Sequence, residues 1–330
     1  MGNYIARRFL YMLILVVLSS IVSFAIIVLP PGDYLTSYVA QLKAQGEQVN
    51  EDQIAALEQA YGLGQPMYVQ YWKWVTNIIT DGNMGRSFAW RAPVSELIID
   101  RLPATLLVSL GSTLLVYMIA IPTGIISAVK QYSVWDYIIT FICYVGLAVP
   151  NFLLALITML YFYDVFGVSV GGLFSPEYQS ADWSWAKFVD MLAHLPVPLI
   201  VIGIAGTASI IRVMRATLLD ELGKPYVETA RAKGVSEWRL LLKYPVRVAL
   251  NPIASTIGWI LPAMFSGATI TAIVLNLPTV GPMLLESLLT EDMFLAAGIL
   301  LILTVLTIIG TFISDMVLLW LDPRIRMIRG

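Results

Sequence analysis

The charged and small residues of Tyr226–Ser236 are those whose types and spacing favour binding to another protein. Tyr226, Ala230 and Gly234 recur every fourth residue and would share one face of a helix. A face of small side chains lets another backbone approach closely, and nearby charges can pair with a partner. The segment is therefore predicted to be a docking element.

The sequence around this segment predicts a bent pair of short helices. Gly223 and Pro225 mark the end of one helix and the start of another. We expect a helix over Tyr226–Lys233, a sharp bend at Gly234, and a second short helix that Ser236 caps.

The chain shows no combination of residues typical of catalysis or metal binding. It has a single histidine, His194, and a single cysteine, Cys143. The phosphate-binding pattern G-x-x-x-x-G-K-[ST] is absent, since Lys224 is followed by Pro225 and lacks the upstream glycine. No catalytic residue, metal site or disulfide is predicted, and an interfacial or capping role is expected for His194.

The composition is that of an integral membrane protein. Hydrophobic residues make up 58% of the chain and charged residues 13%, with a mean hydropathy of +0.78. The formal net charge of −2 gives no support for nucleic-acid binding, which requires a clustered basic face.

Apolar runs of about 20 residues, the length that crosses a membrane, predict an all-α protein with six transmembrane helices. We divide the chain into residues 1–102, with the first span and a long outer loop, and residues 103–330, a five-helix core that contains the loop 212–250. The predicted spans are Phe9–Leu29, Pro103–Ala128, Tyr137–Tyr163, Pro196–Val213, Pro252–Leu275 and Phe294–Leu321.

The distribution of lysine and arginine predicts the orientation. Most of these residues fall on the side of the two termini, especially in the loop 212–250, which places both termini in the cytoplasm. Asn50 resembles a helix N-cap before Glu51–Tyr61, and Pro66 begins a second amphipathic stretch. These two helices are expected to form a cap on the outer side that can also meet an external partner.

The docking segment resembles a known motif. Glu228-Thr229-Ala230, three residues and then Gly234 are similar to the EAA motif of the membrane subunits of bacterial ABC importers, and the subfamily resembled is that of dipeptide and oligopeptide permeases. The resemblance covers nearly the whole chain. It includes the stretches Leu29–Asp33, Tyr61–Pro66, Gly85–Phe88, Arg101–Thr105, Arg212–Thr217 and Leu321–Arg324.

The resemblance implies a type I ABC importer permease fold in a bacterial or archaeal cytoplasmic membrane. The short helix would be the coupling helix that docks in a groove of a cytoplasmic ATPase, and the partners would be two ATPase subunits, a homologous second permease subunit forming a heterodimer, and an external solute-binding protein. ATP and Mg would be bound by the ATPases, with no cofactor in this chain. The implied ATPase-coupling residues are Tyr226, Glu228, Thr229, Ala230, Arg231, Lys233 and Gly234.

Two residue roles have alternatives. Glu228 lies in the first helical turn, where the helix dipole alone would favour a carboxylate by about 0.3–1 kcal/mol. Asp315 lies inside the last predicted span and is expected to pair with a basic or backbone group, although proton coupling is an alternative. Arg212, Arg215 and Asp315 are the candidates for a cytoplasmic gate.

The implied cargo is a peptide or a related solute, with oligosaccharides or a nickel chelate as alternatives. A secondary transporter is a second class of function, but it should show inverted repeats and an ion site at the membrane midplane, and neither is found in the sequence. A structural membrane scaffold is a third class, and it would not need the bent segment.

Overall fold

The computed structural model describes residues 2–28, 65–87 and 89–321, with side chains described from residue 5 and not at 257–267 or 320–321. These residues are mainly helical. The helices are α1 (Gly2–Val28), α2 (Met67–Asp81), α3 (Val94–Val129), α4 (Val134–Ala148), α5 (Asn151–Phe166), α6 (Trp185–His194), α7 (Pro196–Leu222), α8 (Pro225–Ala232), α9 (Glu237–Lys243), α10 (Pro245–Gly267), α11 (Thr269–Val274), α12 (Val280–Leu289) and α13 (Met293–Leu321).

The predicted all-α membrane architecture is confirmed. Within the described part of the chain, four stretches are long and apolar enough to cross a membrane, and the bent pair α4–α5 makes a fifth if it counts as one span. The four are Ile5–Val28, Val94–Val129, Trp185–Leu222 and Met293–Leu319. The predicted span Pro252–Leu275 falls on α10 and α11, where part of the side chains lie outside the described residues.

The predicted span Tyr137–Tyr163 falls on two helices, α4 and α5, which make one span if the bent pair is counted as one. The chain bends by 101° between α4 and α5, and Val149 there is extended, with φ −87° and ψ 122°. Pro150 explains the break, because proline lacks an N–H for the helix and disfavours a helical residue before it. Asn151 then joins α5 to α7 by donating a side-chain hydrogen bond to the Ile202 carbonyl oxygen (3.3 Å).

The larger of two compact units contains Ala104–Pro282 and the described parts of Met1–Phe9 and Thr307–Gly330. Helix α7 is its centre and packs against α4, α5 and α10. Met214 and Leu218 of α7 are fully buried, and a Cβ added at Gly124 of α3 would meet Met214 at 2.7 Å. The absence of a side chain at Gly124 therefore allows the close packing of α3 and α7.

The smaller unit contains Leu10–Pro103, as far as it is described, and Met283–Leu306. The predicted amphipathic stretch after Pro66 is confirmed as α2, whose Tyr71 hydroxyl lies 2.8 Å from the Ser20 hydroxyl of α1. The predicted helix over Glu51–Tyr61 lies outside the described residues.

One carboxylate organises part of this unit. The buried Asp292 accepts hydrogen bonds from the Ser87 hydroxyl (2.5 Å) and from the Leu295 amide at the start of α13 (3.2 Å). Gly85 has φ +104°, and a Cβ there would meet the Phe294 ring at 2.4 Å. The stretch Gly85-Arg86-Ser87 is thus a packing element held by the start of α13.

Another hydrogen-bonded carboxylate lies in the larger unit, where the segment between α5 and α6 folds back. Asp190 accepts hydrogen bonds from the backbone amide (2.8 Å) and the hydroxyl (2.6 Å) of Ser175. His194 ends α6, and its Nδ1 atom lies 2.9 Å from the Asp190 carbonyl oxygen. The structure therefore places His194 at a helix end, among structural contacts.

Candidate functional site

The loop between α7 and α10 has the bent geometry that its sequence predicts. Helix α8 ends at Ala232, and Gly234, two residues later, has a left-handed backbone conformation with φ +79°. The Gly234 amide donates to the Arg231 carbonyl oxygen (3.0 Å) and the Val235 amide to the Ala230 carbonyl oxygen (3.3 Å). This pair of bonds is the Schellman motif, which ends a helix and turns the chain sharply.

The second helix of the loop, α9, begins after Ser236 and folds back against α8. Ser236 occupies the N-cap position, but its side chain makes no capping hydrogen bond, so the predicted side-chain cap is wrong. Leu240 of α9 packs instead against Val227 and Ala230 of α8 in a small buried cluster. Apolar packing and the glycine turn, not a serine cap, set the angle between the two helices.

The predicted face of small residues does not lie on a single exposed surface, because this packing buries Ala230 and leaves Gly234 exposed. Ala230 is only 8% exposed and Val227 is fully buried, so this side of α8 faces α9 of the same chain. Gly234 lies in the open, with no atom within 4 Å of the position where its Cβ would be. Ala230 therefore contributes by bringing α8 and α9 together.

The opposite side of α8 is exposed and polar. Glu228, Thr229, Arg231 and Lys233 are all exposed there, and the Thr229 hydroxyl bonds back to the Pro225 carbonyl oxygen (2.9 Å). This exposed row of polar and charged side chains is the surface of the loop that a partner can contact.

Side-chain hydrogen bonds stiffen both ends of the loop. The Tyr226 hydroxyl donates to the Glu221 carboxylate (2.5 Å) at the end of α7. Burial, together with this hydrogen bond, raises the pKa of Tyr226. The phenol therefore keeps its proton and remains a donor to Glu221.

At the other end, the Arg231 guanidinium donates two hydrogen bonds to Glu237 of α9, at 2.6 and 3.1 Å. The hydrogen bonds from Arg231 lower the pKa of Glu237. Both side chains are more than half exposed. The pair lies on the rim of a groove of about 760 Å³ between the end of α3 and α9.

The three candidate gate residues each have a different contact. Arg215 forms a two-point ion pair with the Asp136 carboxylate, with both N–O distances at 2.8 Å. The Arg212 guanidinium carbon lies 5.6 Å from the centre of the Tyr144 ring. Asp315 pairs with Arg8 of α1 at 3.3 Å, which agrees with the expectation of a basic partner.

The sequence reasoning missed Asp136, although a signal for it was present. Asp136 also accepts hydrogen bonds from the Ser127 hydroxyl (2.5 Å) and the Tyr132 amide (3.0 Å). Its own amide bonds to the Ser133 hydroxyl, which caps α4. The pattern Ser133-x-x-Asp136 before an apolar run is that of a helix start, and it could have drawn attention to this carboxylate.

The geometry of the loop is that of a docking element. Among the described residues no group of three or more His, Cys, Asp and Glu side chains could hold a metal ion. What the loop offers is a stiff, bent element with one buried side and one charged, exposed side.

Comparison with known proteins covers nearly the whole chain. Residues 120–327 match the family described as "binding-protein-dependent transport system inner membrane component", and residues 1–110 match its N-terminal counterpart. The oligopeptide transport system permease protein AppB of Bacillus subtilis is 36% identical over 98% of this chain and 99% of its own length.

Two further relatives are named after other transported solutes. The dipeptide transport system permease protein DppB of Alkalihalophilus pseudofirmus is 29% identical over 98% of this chain and 99% of its own length. The glutathione transport system permease protein GsiC of Salmonella paratyphi A is 28% identical over 99% of both chains. With the family match and the relative at 36% identity, the chain belongs to the binding-protein-dependent transport family and is a membrane-spanning permease subunit of an ABC importer, with the type I importer fold.

Proposed function

We propose that this subunit forms half of a path for short peptides and that it receives its driving force through the exposed side of α8. The single observation that carries the proposal is the bent loop, in which one side of α8 is packed on α9 while Glu228, Thr229, Arg231 and Lys233 point outward. Peptide cargo is inferred from the names of the oligopeptide and dipeptide relatives.

The contacts of the loop are suited to transmit a movement of α8 to the membrane-spanning helices. Helix α8 is tied to the end of α7 through Tyr226 and Glu221, and to α9 through the buried cluster and the Arg231–Glu237 pair. Helix α9 leads directly into α10 at Pro245. A displacement of α8 by a partner would therefore act on both α7 and α10.

The proposed assembly follows the family. Two cytoplasmic ATPase subunits bind ATP and Mg and hydrolyse ATP, and this chain does not. A homologous second permease completes the path, an external binding protein delivers the peptide, and both termini and α8 face the cytoplasm of a bacterial or archaeal cell. Arg212, Arg215 and Asp315 would lie toward the cytoplasmic gate, where changes in their contacts accompany opening.

The test compares two glycines of the same geometry. Gly234 and Gly167 both end a helix in the left-handed region, with φ +79° and +65°, and both have open space around the Cβ position. Gly234→Trp places a bulky side chain beside the proposed docking surface, whereas Gly167→Trp places it after α5. We expect only Gly234→Trp to abolish ATPase co-purification in mild detergent and uptake of a labelled oligopeptide into cells.

The proposal fails if the wild-type chain brings no ATPase with it, or if Gly234→Trp leaves uptake at the level of Gly167→Trp. The heterodimer is tested separately, by tagging this chain and the companion permease differently. A functional complex that contains two copies of this chain and no companion would contradict that part of the proposal.

A further inference from the structure

An open pocket of about 620 Å³ lies between α4 and α7 in the larger unit. Tyr137, Thr140 and Tyr144 follow one another along one face of α4, and Ser209 and Arg212 lie along the facing side of α7. Pockets of about 300–1,000 Å³ accommodate small organic ligands. The volume is therefore sufficient for a short peptide.

The pocket contains two arginines in different electrostatic states. Arg215 is neutralised by Asp136, the one carboxylate among the described residues that line the pocket. Both Asp136 oxygens are already occupied, since each accepts from Arg215 and one further donor. Within the part of the chain that the structure describes, Arg212 has its contact with the Tyr144 ring and no carboxylate within ion-pair distance.

Arg212 lies at the proposed cytoplasmic end of the predicted span Pro196–Val213, so its position relative to the membrane does not by itself identify its partner. Helix α7 belongs to a stretch that can cross a membrane, and α4 belongs to the bent pair. Most of the exposed side chains facing the pocket are nevertheless polar or aromatic, including Tyr137 at 64% and Tyr144 at 59% exposure. An arginine at this level is stabilised by a water-filled pathway, a bound anionic group or lipid headgroups, and the polar and aromatic surroundings favour the first two.

We propose that Arg212 and the tyrosines beside it form a subsite for a carboxylate of the transported solute. A guanidinium binds a carboxylate through two parallel hydrogen bonds, and tyrosine hydroxyls can donate to the same oxygens. The ligand class is a peptide with a free C-terminal carboxylate. This inference rests on the proposed function, because it names the part of the peptide that this wall of the path would contact.

A reporter cysteine in the pocket tests the subsite directly. Cys143 is the only cysteine of the chain, so Cys143→Ala with Thr140→Cys gives one reactive thiol in it. The complete complex in phosphatidylcholine vesicles is treated with an anionic or a cationic methanethiosulfonate, and labelling of this chain is followed by its mass. A nearby unit charge in water changes each rate by roughly threefold, so Arg212→Gln, in the same pocket, should slow the anionic reagent and speed the cationic one by about that factor.

Protection by a peptide then identifies the ligand. We expect trialanine to slow labelling of the reporter thiol when Arg212 is present, trialaninamide to have little effect, and Arg212→Gln to remove the difference. Arg212→Lys should keep the preference for the anionic reagent but protect less well. Arg247→Gln, which removes an exposed charge outside the pocket, is the matched control and should behave like the parent protein.

Two results would overturn the subsite. One is equal protection by trialanine and trialaninamide, or none by either. The other is a block of labelling by phosphatidylglycerol that peptide does not relieve, which would assign the site to a lipid phosphate. The measurement needs neither ATP hydrolysis nor uptake, so its failure is separate from failure of the proposed function, which would show as absent ATPases.

Discussion

Two arginine–carboxylate pairs in the larger unit have the same chemistry and opposite surroundings. The Asp136 side chain is 4% exposed and is shared by Arg215, Ser127 and Tyr132, whereas the Glu237 side chain is 67% exposed and accepts from Arg231. A buried carboxylate left without its partner is costly, while an exposed ion pair contributes little to stability. The first pair fixes a structure, and the second can be broken and remade at small cost.

The positions of the two pairs match this difference. The Asp136 pair holds the turn between α3 and α4 against α7, at the end of a closely packed membrane unit. The Arg231 pair bridges the two short helices of the loop that is proposed to contact an ATPase. A docking element must exchange its polar contacts with a partner, and an exposed pair allows that exchange.

The largest expected effect comes from breaking the buried pair. Asp136→Asn keeps the size of the side chain but leaves the Arg215 guanidinium without a counter-charge and turns an amide group toward it. We expect a loss of about 3 kcal/mol, at the lower end of the range for buried pairs because Arg215 is 27% exposed. Melting of the detergent-solubilised complex, followed by tryptophan fluorescence, measures the loss.

A double variant shows how much of the lost stability comes from leaving the Arg215 charge unpaired. Asp136→Leu with Arg215→Met removes the unpaired charge, although the Ser127 hydroxyl and the Tyr132 amide lose their acceptor, and should recover part of the lost melting temperature. If Asp136→Asn alone melts like the wild-type protein, the two ion pairs do not differ in the way their burial indicates.

The helices of the membrane unit were largely predictable, because about 20 consecutive apolar residues have few alternatives to spanning a bilayer. The break within the predicted span Tyr137–Tyr163 was less predictable. Pro150 in the sequence permits a kink, but hydropathy alone does not show a bend of 101°. That bend depends on tertiary contacts such as the one from Asn151 to Ile202.

The sequence predicted the turn of the loop but not the contacts between its two helices. Gly234 in the sequence indicated a bend, and the structure supplies the left-handed residue that the bend needs. Which side of α8 is free depended on α9, since Leu240 covers Ala230. Asp136 was overlooked because its partner, Arg215, is distant in sequence and no local pattern joins them.

An intermediate effect is expected from two glycines that flank α8. Both have open space for a Cβ, but Gly234 is left-handed while Gly223 has φ −83°. Gly234→Ala should destabilise the loop by about 1 kcal/mol, since L residues with a Cβ are disfavoured there, and Gly223→Ala should be neutral or slightly stabilising. Amide hydrogen exchange of residues 225–243 measures the difference.

The same pair of variants indicates whether the turn matters for coupling. Faster exchange in Gly234→Ala, accompanied by weaker ATPase retention, would show that the exposed pair cannot hold α8 in place without the turn. Equal exchange in the two alanine variants would contradict the role assigned to the left-handed residue.

The smallest effect is expected from the exposed pair, and its pH dependence has a definite sign. The pKa of Glu237 is lowered by Arg231, so the folded protein holds this carboxylate ionised more strongly than the unfolded chain does. Its contribution is fully present above the usual glutamate pKa of 4.5 and is lost as the pH falls through the lower value of the folded state. Between those values the wild-type protein should lose slightly more stability than Glu237→Gln, and the difference should shrink in high salt, which screens exposed charges. Melting curves from neutral pH down to about pH 3 test this, and a large difference at pH 7 would mean that the Arg231 pair behaves like the buried one.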